Sequence, residues 1–217
     1  MTLMVDFDDP LRVDGVELPR AWVAGPSRTT DRVELGPKQT SLDVKLTPFG
    51  AYRVFGVPPR ELAEAVVPLD RLTGDAGVEL VERLREASDW ESRFKLMDRF
   101  LCEHGAEGPS PTPAVAHAWS RLCASAGQVP IGALARELRM SRRHLTAVFH
   151  EQVGLPPKSF ARLLRFAAVR RHMNRRPTSW AEAAQACGYF DQSHLNRDFR
   201  DFAGTTPGDF LSSKTDW

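Results

Sequence analysis

Hydrophobic and polar positions change their period along this chain. In residues 1–57, short β-rich stretches cover 3–7, 21–24, 32–35 and 41–46. Asp9-Pro10, Gly25-Pro26 and Thr47-Pro48 break them apart, which predicts strands closed by turns. Residues 60–103 instead place Leu80, Val81 and Leu84, then Phe94, Met97, Phe100 and Leu101, at helical spacing. Four or five short strands are few for a closed barrel or a two-sheet sandwich, so the sheet should either keep open edges or be completed by something absent from the chain. Gly108-Pro-Ser-Pro-Thr-Pro113 cannot continue a helix and reads as an extended linker. Beyond it only the helical period remains. The expected architecture is an α+β region over 1–108, a linker over 109–113, and an all-α domain over 114–217.

The helical half contains a repeat. His144, Leu145, Phe149, Gly154, Pro157 and Phe160 recur as His194, Leu195, Phe199, Gly204, Pro207 and Phe210, at a constant offset of 50 residues. Upstream, Ile131, Leu134 and Ala135 match Trp180, Ala183 and Ala184 at an offset of 49, so the second copy carries one extra residue near Gly188-Tyr-Phe-Asp191. Each copy predicts a helix-turn-helix. A short first helix spans about 131–138 or 180–187, with Ser179 and Glu182 forming a capping box in the second copy and Pro130 leaving the first without one. After a turn, Ser141 or Asp191 caps a second helix. That helix buries Leu145, Phe149 and Val153, or Leu195, Phe199 and Ala203, at i, i+4, i+8. Gly154 and Gly204 suit a left-handed stop, and Pro157 and Pro207 suit the first turn of the next helix. Between the copies, a linker helix over about 158–175 should bury Phe160, Leu163, Leu164 and Ala167, and leave Arg162, Arg165, Arg170 and Arg171 to solvent or phosphate.

Charge sharpens the picture only after the chain is divided. The net charge is +1, but residues 1–113 hold 14 Lys and Arg against 20 Asp and Glu, and residues 114–217 hold 15 against 8. A basic, duplicated helix-turn-helix half fits double-stranded DNA as its partner. Base-reading side chains should leave the buried stripe near the start of each second helix. They are Arg142, Arg143, Thr146 and the neighbouring Ala147 in the first copy, and Gln192, Ser193, Asn196 and Arg197 in the second. Arginine pairs with guanine, Asn and Gln with adenine, and a methyl group meets the thymine methyl. Arg200, Lys158, Arg175 and Arg176 are candidates for phosphate. His144 and His194 have no Cys or carboxylate cluster beside them, so packing or phosphate contact is expected of them, and no metal or cofactor. The three cysteines, Cys102, Cys123 and Cys187, form no C-x-x-C pair and are expected as small core residues in a reducing compartment. No apolar run is long enough for a membrane span, and the start lacks a signal-peptide pattern, so the cytoplasm is expected.

Residues 129–211 resemble the DNA-binding domain of AraC/XylS regulators, most closely in the run from Ala186 to Arg200 followed by Gly204-Thr-Thr-Pro207-Gly-Asp-Phe210. The resemblance implies two helix-turn-helix units on a linker helix and a transcription regulator, activator or repressor, with RNA polymerase a candidate partner. Leu46-Thr-Pro-Phe-Gly-Ala-Tyr-Arg-Val-Phe-Gly-Val57 and Val66-Val-Pro-Leu-Asp70 are similar to actinobacterial members with a sensor-like region. Those members carry more sequence before the equivalent of Met1, so the chain is expected to be N-terminally short. The first region would sense a small-molecule effector or form a homodimer; alternatively it only dimerises and DNA binding is ligand-independent. Trp22, Phe49, Tyr52, Phe55 and Trp90 either line an effector pocket or fill the core, and their density favours the core. An enzymatic role finds no support: a four-cysteine zinc site of the kind found in related repair proteins, a Gly-rich phosphate loop, H-E-x-x-H and G-x-S-x-G are all missing from the sequence.

Overall fold

A computed structural model describes the chain except residues 14, 28–32, 35, 177 and 213–217. It forms two compact units. Among the described residues, the first contains those of 1–27, 33–111 and 150–154, and the second those of 112–149 and 155–212.

The first unit holds seven described strands: β1 (Thr2–Asp6), β2 (Arg12–Val13), β3 (Val16–Glu17), β4 (Ala21–Ala24), β5 (Val33–Glu34), β6 (Ser41–Lys45) and β7 (Val66–Pro68). Four make an antiparallel sheet in the order β6-β1-β4-β7, and three make a small ribbon in the order β3-β2-β5. In the larger sheet Leu3 lies opposite Val23 and Val44, and Val5 opposite Ala21 and Leu42. Side chains alternate across a strand, so these residues share one face. Helices α1 (Pro48–Phe55), α2 (Leu69–Thr73), α3 (Asp75–Glu86) and α4 (Trp90–Gly105) close that face with Ala51, Phe55, Leu69, Leu80, Leu84, Met97 and Phe100.

Three features here depart from the sequence expectation. Residues 48–55 are helical, because Thr47 caps the amide of Gly50 and Pro48 opens the first turn, so the Thr-Pro break is a helix start. The helical stretch predicted over 60–103 begins only at Leu69; residues 66–68 are the edge strand β7, and Val66 opposite Ala24 continues the sheet. The predicted 32–35 strand survives as β5, with residues 32 and 35 outside the described set. Of the aromatic candidates, Trp22 and Phe55 are buried while Trp90 is 40% exposed and stacks near Phe7 and Phe94. An open concavity of about 300 Å³ beside α2 and α3 is lined by Pro19, Leu69, Val78 and Val81, with none of the five aromatics.

Asp6, at the end of β1, is a carboxylate with no solvent exposure. Its Oδ1 accepts from Gln39 Nε2 at 3.1 Å, and burial raises its pKa above the ordinary value. A raised carboxylate pKa favours the fold below the ordinary range and loses that contribution as pH rises through the folded value. Asp6→Asn should therefore be more stable than the native protein at neutral pH, with the gap closing on acidification. Urea titrations from pH 4 to pH 8 measure it, and a native carboxylate that outperforms the amide at neutral pH would contradict this account.

Candidate nucleic-acid interface

The second unit is helical among its described residues: α5 (Pro113–Ala124), α6 (Ile131–Glu137), α7 (Arg142–Val153), α8 (Pro157–Arg175), α9 (Trp180–Ala186), α10 (Gln192–Ala203) and α11 (Pro207–Ser212). Each half of the repeat is a helix-turn-helix, α6-turn-α7 and α9-turn-α10. In the first turn the Met140 amide bonds to the Ala135 carbonyl at 2.9 Å; in the second, the Tyr189 amide bonds to the Ala184 carbonyl at 2.9 Å. The turn residue before each is left-handed: Arg139 at φ 54° and Gly188 at φ 78°. The additional residue of the second copy is Phe190, 93% exposed.

Capping follows the side chains. Ser179 and Glu182 form a reciprocal capping box at the start of α9, whereas Pro130 gives α6 no side-chain cap. Ser141 Oγ accepts from the His144 amide at 3.1 Å, and Asp191 Oδ1 accepts from the His194 amide at 2.7 Å. Gly204 ends α10 in the left-handed region, and its amide bonds to Arg200 O.

The recognition helices bury the expected stripes except at Ala203, which is half-buried while its neighbour Phe202 is buried. Leu145, Phe149 and Leu195, Phe199 have no exposure, and Phe199 meets Phe166, Trp180 and Phe210 edge-on. The opposite surfaces carry the predicted readers. Arg142, Arg143, Thr146 and Ala147 are exposed on α7, as are Gln192, Ser193, Arg197 and Arg200 on α10. Asn196 is half-buried, and its Oδ1 is enclosed with no hydrogen-bond partner among the described residues. The Arg142 guanidinium lies against Gly132 of α6, where a Cβ would approach it to 2.5 Å, so it is folded back over its own unit. Among the described residues, no carboxylate pairs with Arg143, Arg197 or Arg200. His144 is exposed, and His194 packs edge-on to Tyr189 at 5.2 Å.

Helix α8 corrects two expectations. Its buried residues are Pro157, Ala161, Phe166, Val169 and Met173, while Phe160, Leu163 and Leu164 are half-buried and Ala167 is exposed. The reason is that α8 serves two cores. Near its start Phe160 stacks on Trp119 at 4.3 Å and tilts against Phe149; further on, Phe166, Val169 and Met173 join α9 and α10. One continuous stripe cannot face both. Arg162 and Arg165, expected to be available to phosphate, are engaged inside the unit. Arg162 donates through Nε and Nη2 to Asp198 Oδ1 at 2.9 and 2.7 Å, and Nη2 also reaches Asp201. Asp198 has no exposure, and its Oδ2 accepts from the Tyr189 hydroxyl at 3.0 Å. Burial works against the charge on Arg162, but the hydrogen bonds and charges of Asp201 and Asp198 outweigh it and raise its pKa. Burial, with the Asp198 charge beside it, pushes the Tyr189 phenol up and keeps it protonated as a donor. Arg165 donates to the Gly127 carbonyl at 2.7 Å and lies over the Tyr189 ring. Arg162 is held inside because the buried Asp198 carboxylate demands a partner, and Arg165 because a backbone carbonyl and an aromatic face receive it; the sequence pattern, which marks every Arg as polar, does not show it.

Toward its C-terminus α8 remains positive. Arg171, His172, Arg175 and Arg176 line a concavity of about 290 Å³ with Ala168 and Cys187. Cys187 is buried there as expected; Cys102 and Cys123 are exposed, on the outer faces of α4 and α5, and so are not core residues.

Residues 134–213 match a family model described as a helix-turn-helix domain. The second unit is similar to this helix-turn-helix domain over both halves of its repeat. Over 80 residues the chain is 31% identical to the HTH-type transcriptional regulator Rv1931c of Mycobacterium tuberculosis, a match covering 37% of this chain and 31% of that protein, so it spans about a third of the relative's length. The C-terminal domain of AraT, a response regulator from Geobacillus stearothermophilus, aligns at a TM-score of 0.45 and 16% identity, over 49% of this chain and 90% of that one. Among the described residues, no helix is long and apolar enough to cross a membrane.

The two turns of the helix-turn-helix domain differ in strain. A left-handed residue other than glycine costs about 1–2 kcal/mol. Arg139→Gly should therefore stabilise the protein by up to about 1 kcal/mol after the added chain entropy is counted. Gly188→Ala should destabilise it, since φ is 78° and the new Cβ would sit 2.6 Å from Gln128 Cγ. Chemical denaturation of both variants decides the matter, and a destabilised Arg139→Gly protein would show that the turn is not strained.

Proposed function

We propose that the protein is a cytoplasmic, sequence-specific transcription regulator that binds double-stranded DNA through α7 and α10. The observation that carries the reading is the pair of helix-turn-helix units whose recognition helices present exposed Arg143 and Arg197, without a carboxylate partner among the described residues, beside Thr146, Gln192 and Ser193. In this reading Arg143 and Arg197 contact guanine, Gln192 and Asn196 contact adenine, and Ser193, Thr146 and Arg142 complete the surface. Arg200, Lys158, Arg175 and Arg176 hold phosphate. Helix α8, with 19 residues, is about 28 Å long, close to the roughly 34 Å between successive major-groove faces. The similarity to a mycobacterial protein named as a transcriptional regulator supports the same assignment.

The first unit is the regulatory part. We propose self-association through the larger sheet, whose order leaves β6 as a five-residue edge without proline. An effector acting through that unit is the finer form of this proposal.

In vitro selection from random DNA, followed by titration of the chosen site, tests the main reading. Arg143→Ala and Arg197→Ala should each cost about 1–3 kcal/mol on that site and relax the base preference there, while Arg200→Ala should weaken all sequences evenly. Affinity should fall by orders of magnitude between about 50 and 200 mM salt. Equal losses on selected and random DNA would remove the two arginines from base reading.

Self-association has its own test. Sedimentation of the full chain at tens of micromolar should give a dimer that Asp43→Pro disperses, since Asp43 is exposed and its amide faces away from β1. A monodisperse native monomer would refute it.

A further inference from the structure

A polar chain runs through the helix-turn-helix domain: the Gly127 carbonyl accepts from Arg165, Arg165 lies over Tyr189, Tyr189 donates to Asp198, and Asp198 and Asp201 accept from Arg162. Arg162 and Arg165 belong to α8, Tyr189 to the turn of the second helix-turn-helix, and Asp198 and Asp201 to its recognition helix. Gly127 lies in the loop between α5 and α6, which leads into the first helix-turn-helix. That loop also presses on the second unit of the repeat. A Cβ at Gly127 would lie 2.2 Å from the Ala161 carbonyl oxygen, and one at Gly188 would lie 2.6 Å from Gln128 Cγ. The two reading heads thus share α8, a backbone contact and one continuous network.

Apolar contacts tolerate a helix sliding or rotating by a few degrees. A guanidinium bonded through two nitrogens to one fully buried carboxylate does not, because the bonds are directional and the carboxylate left unpaired is costly. Such pairs add little net stability against an apolar replacement; their best-attested use is to fix register.

We propose that the Arg162–Asp198–Tyr189 network fixes α10 in phase with α7 and so makes the chain selective for the spacing between its two DNA segments. Arg162, Asp198 and Tyr189 are positioning residues in this inference, which rests on the DNA-binding reading above. One inserted base pair displaces the second segment by about 3.4 Å and turns it by about 34°. A locked pair of heads leaves that rotation to be absorbed by the DNA, whereas heads joined by α8 and apolar contacts alone share part of it and so penalise the insertion less.

The test uses the full chain and the site obtained by selection, with the segment spacing native, lengthened by one base pair, or reduced to the first segment alone. The native protein should prefer the native spacing over the lengthened one by about tenfold or more, the scale of a single-mismatch penalty. The double variant Arg162→Met/Asp198→Leu, which replaces the pair with apolar groups of similar size, should retain its melting transition and its affinity for the first segment while losing most of that spacing preference. Tyr189→Phe keeps the ring and removes one hydroxyl; it should shift the preference in the same direction and by less, and it carries the test if the double variant fails to fold. Hydrogen exchange in the absence of DNA should show α10 amides opening faster in the variants while α7 amides are unchanged. A variant that keeps the full spacing preference, or that weakens all three probes by one common factor, overturns the inference. A native protein that selects two segments yet tolerates the insertion overturns it alone; one that selects no sequence overturns the DNA-binding reading with it.

Discussion

Helix α8 has to fill two cores with one set of side chains, and the form of the second unit follows from that constraint. A helix facing one core can keep its apolar residues on one stripe. Here Phe160 faces Trp119 and Phe149 near one end, while Phe166, Val169 and Met173 face α9 and α10 toward the other. The change of face along the helix sets the angle between the two halves of the repeat. It also brings Arg162 and Arg165 to a side where they are half-buried, and Asp198, Tyr189 and the Gly127 carbonyl are the groups that receive them.

The first unit meets the opposite constraint. Its sheet has one well-filled face, closed by four helices, and the strands themselves are short. Closure into a barrel would need more strands, so edges persist at β6 and β7. Proline at the end of β7 blunts one of them, and Asp43 and Lys45 place charge on the other.

Most of the helix-turn-helix architecture was legible in the sequence because each boundary has a local chemical cause. Ser141 and Asp191 cap their helices, Gly204 takes a left-handed stop, and Ser179 with Glu182 makes a box, all independent of distant packing. The exposure of Arg143, Thr146, Gln192 and Arg197 followed from the buried stripe opposite them. What failed depended on tertiary partners. The faces of α8 are set by two cores, the ion pair of Arg162 by a carboxylate 36 residues away, and the strand at 66–68 by the free edge of β4. Helix α1 was missed for a different reason: Thr47-Pro48 is equally a turn and a helix start, and only the capping bond to Gly50 distinguishes them.

The distribution of thiols has a practical consequence for handling the protein. Cys102 and Cys123 put one accessible sulfur on each unit, while Cys187 is enclosed. Desolvation holds the Cys123 thiol above its ordinary pKa, which slows thiolate formation at neutral pH without preventing it. In aerated buffer, chains will therefore link through intermolecular disulfides, and covalent dimers will accumulate with storage time. Such species migrate like assembled subunits in sizing experiments and vanish on reduction, so a fresh reductant separates the chemistry of storage from the physics of association.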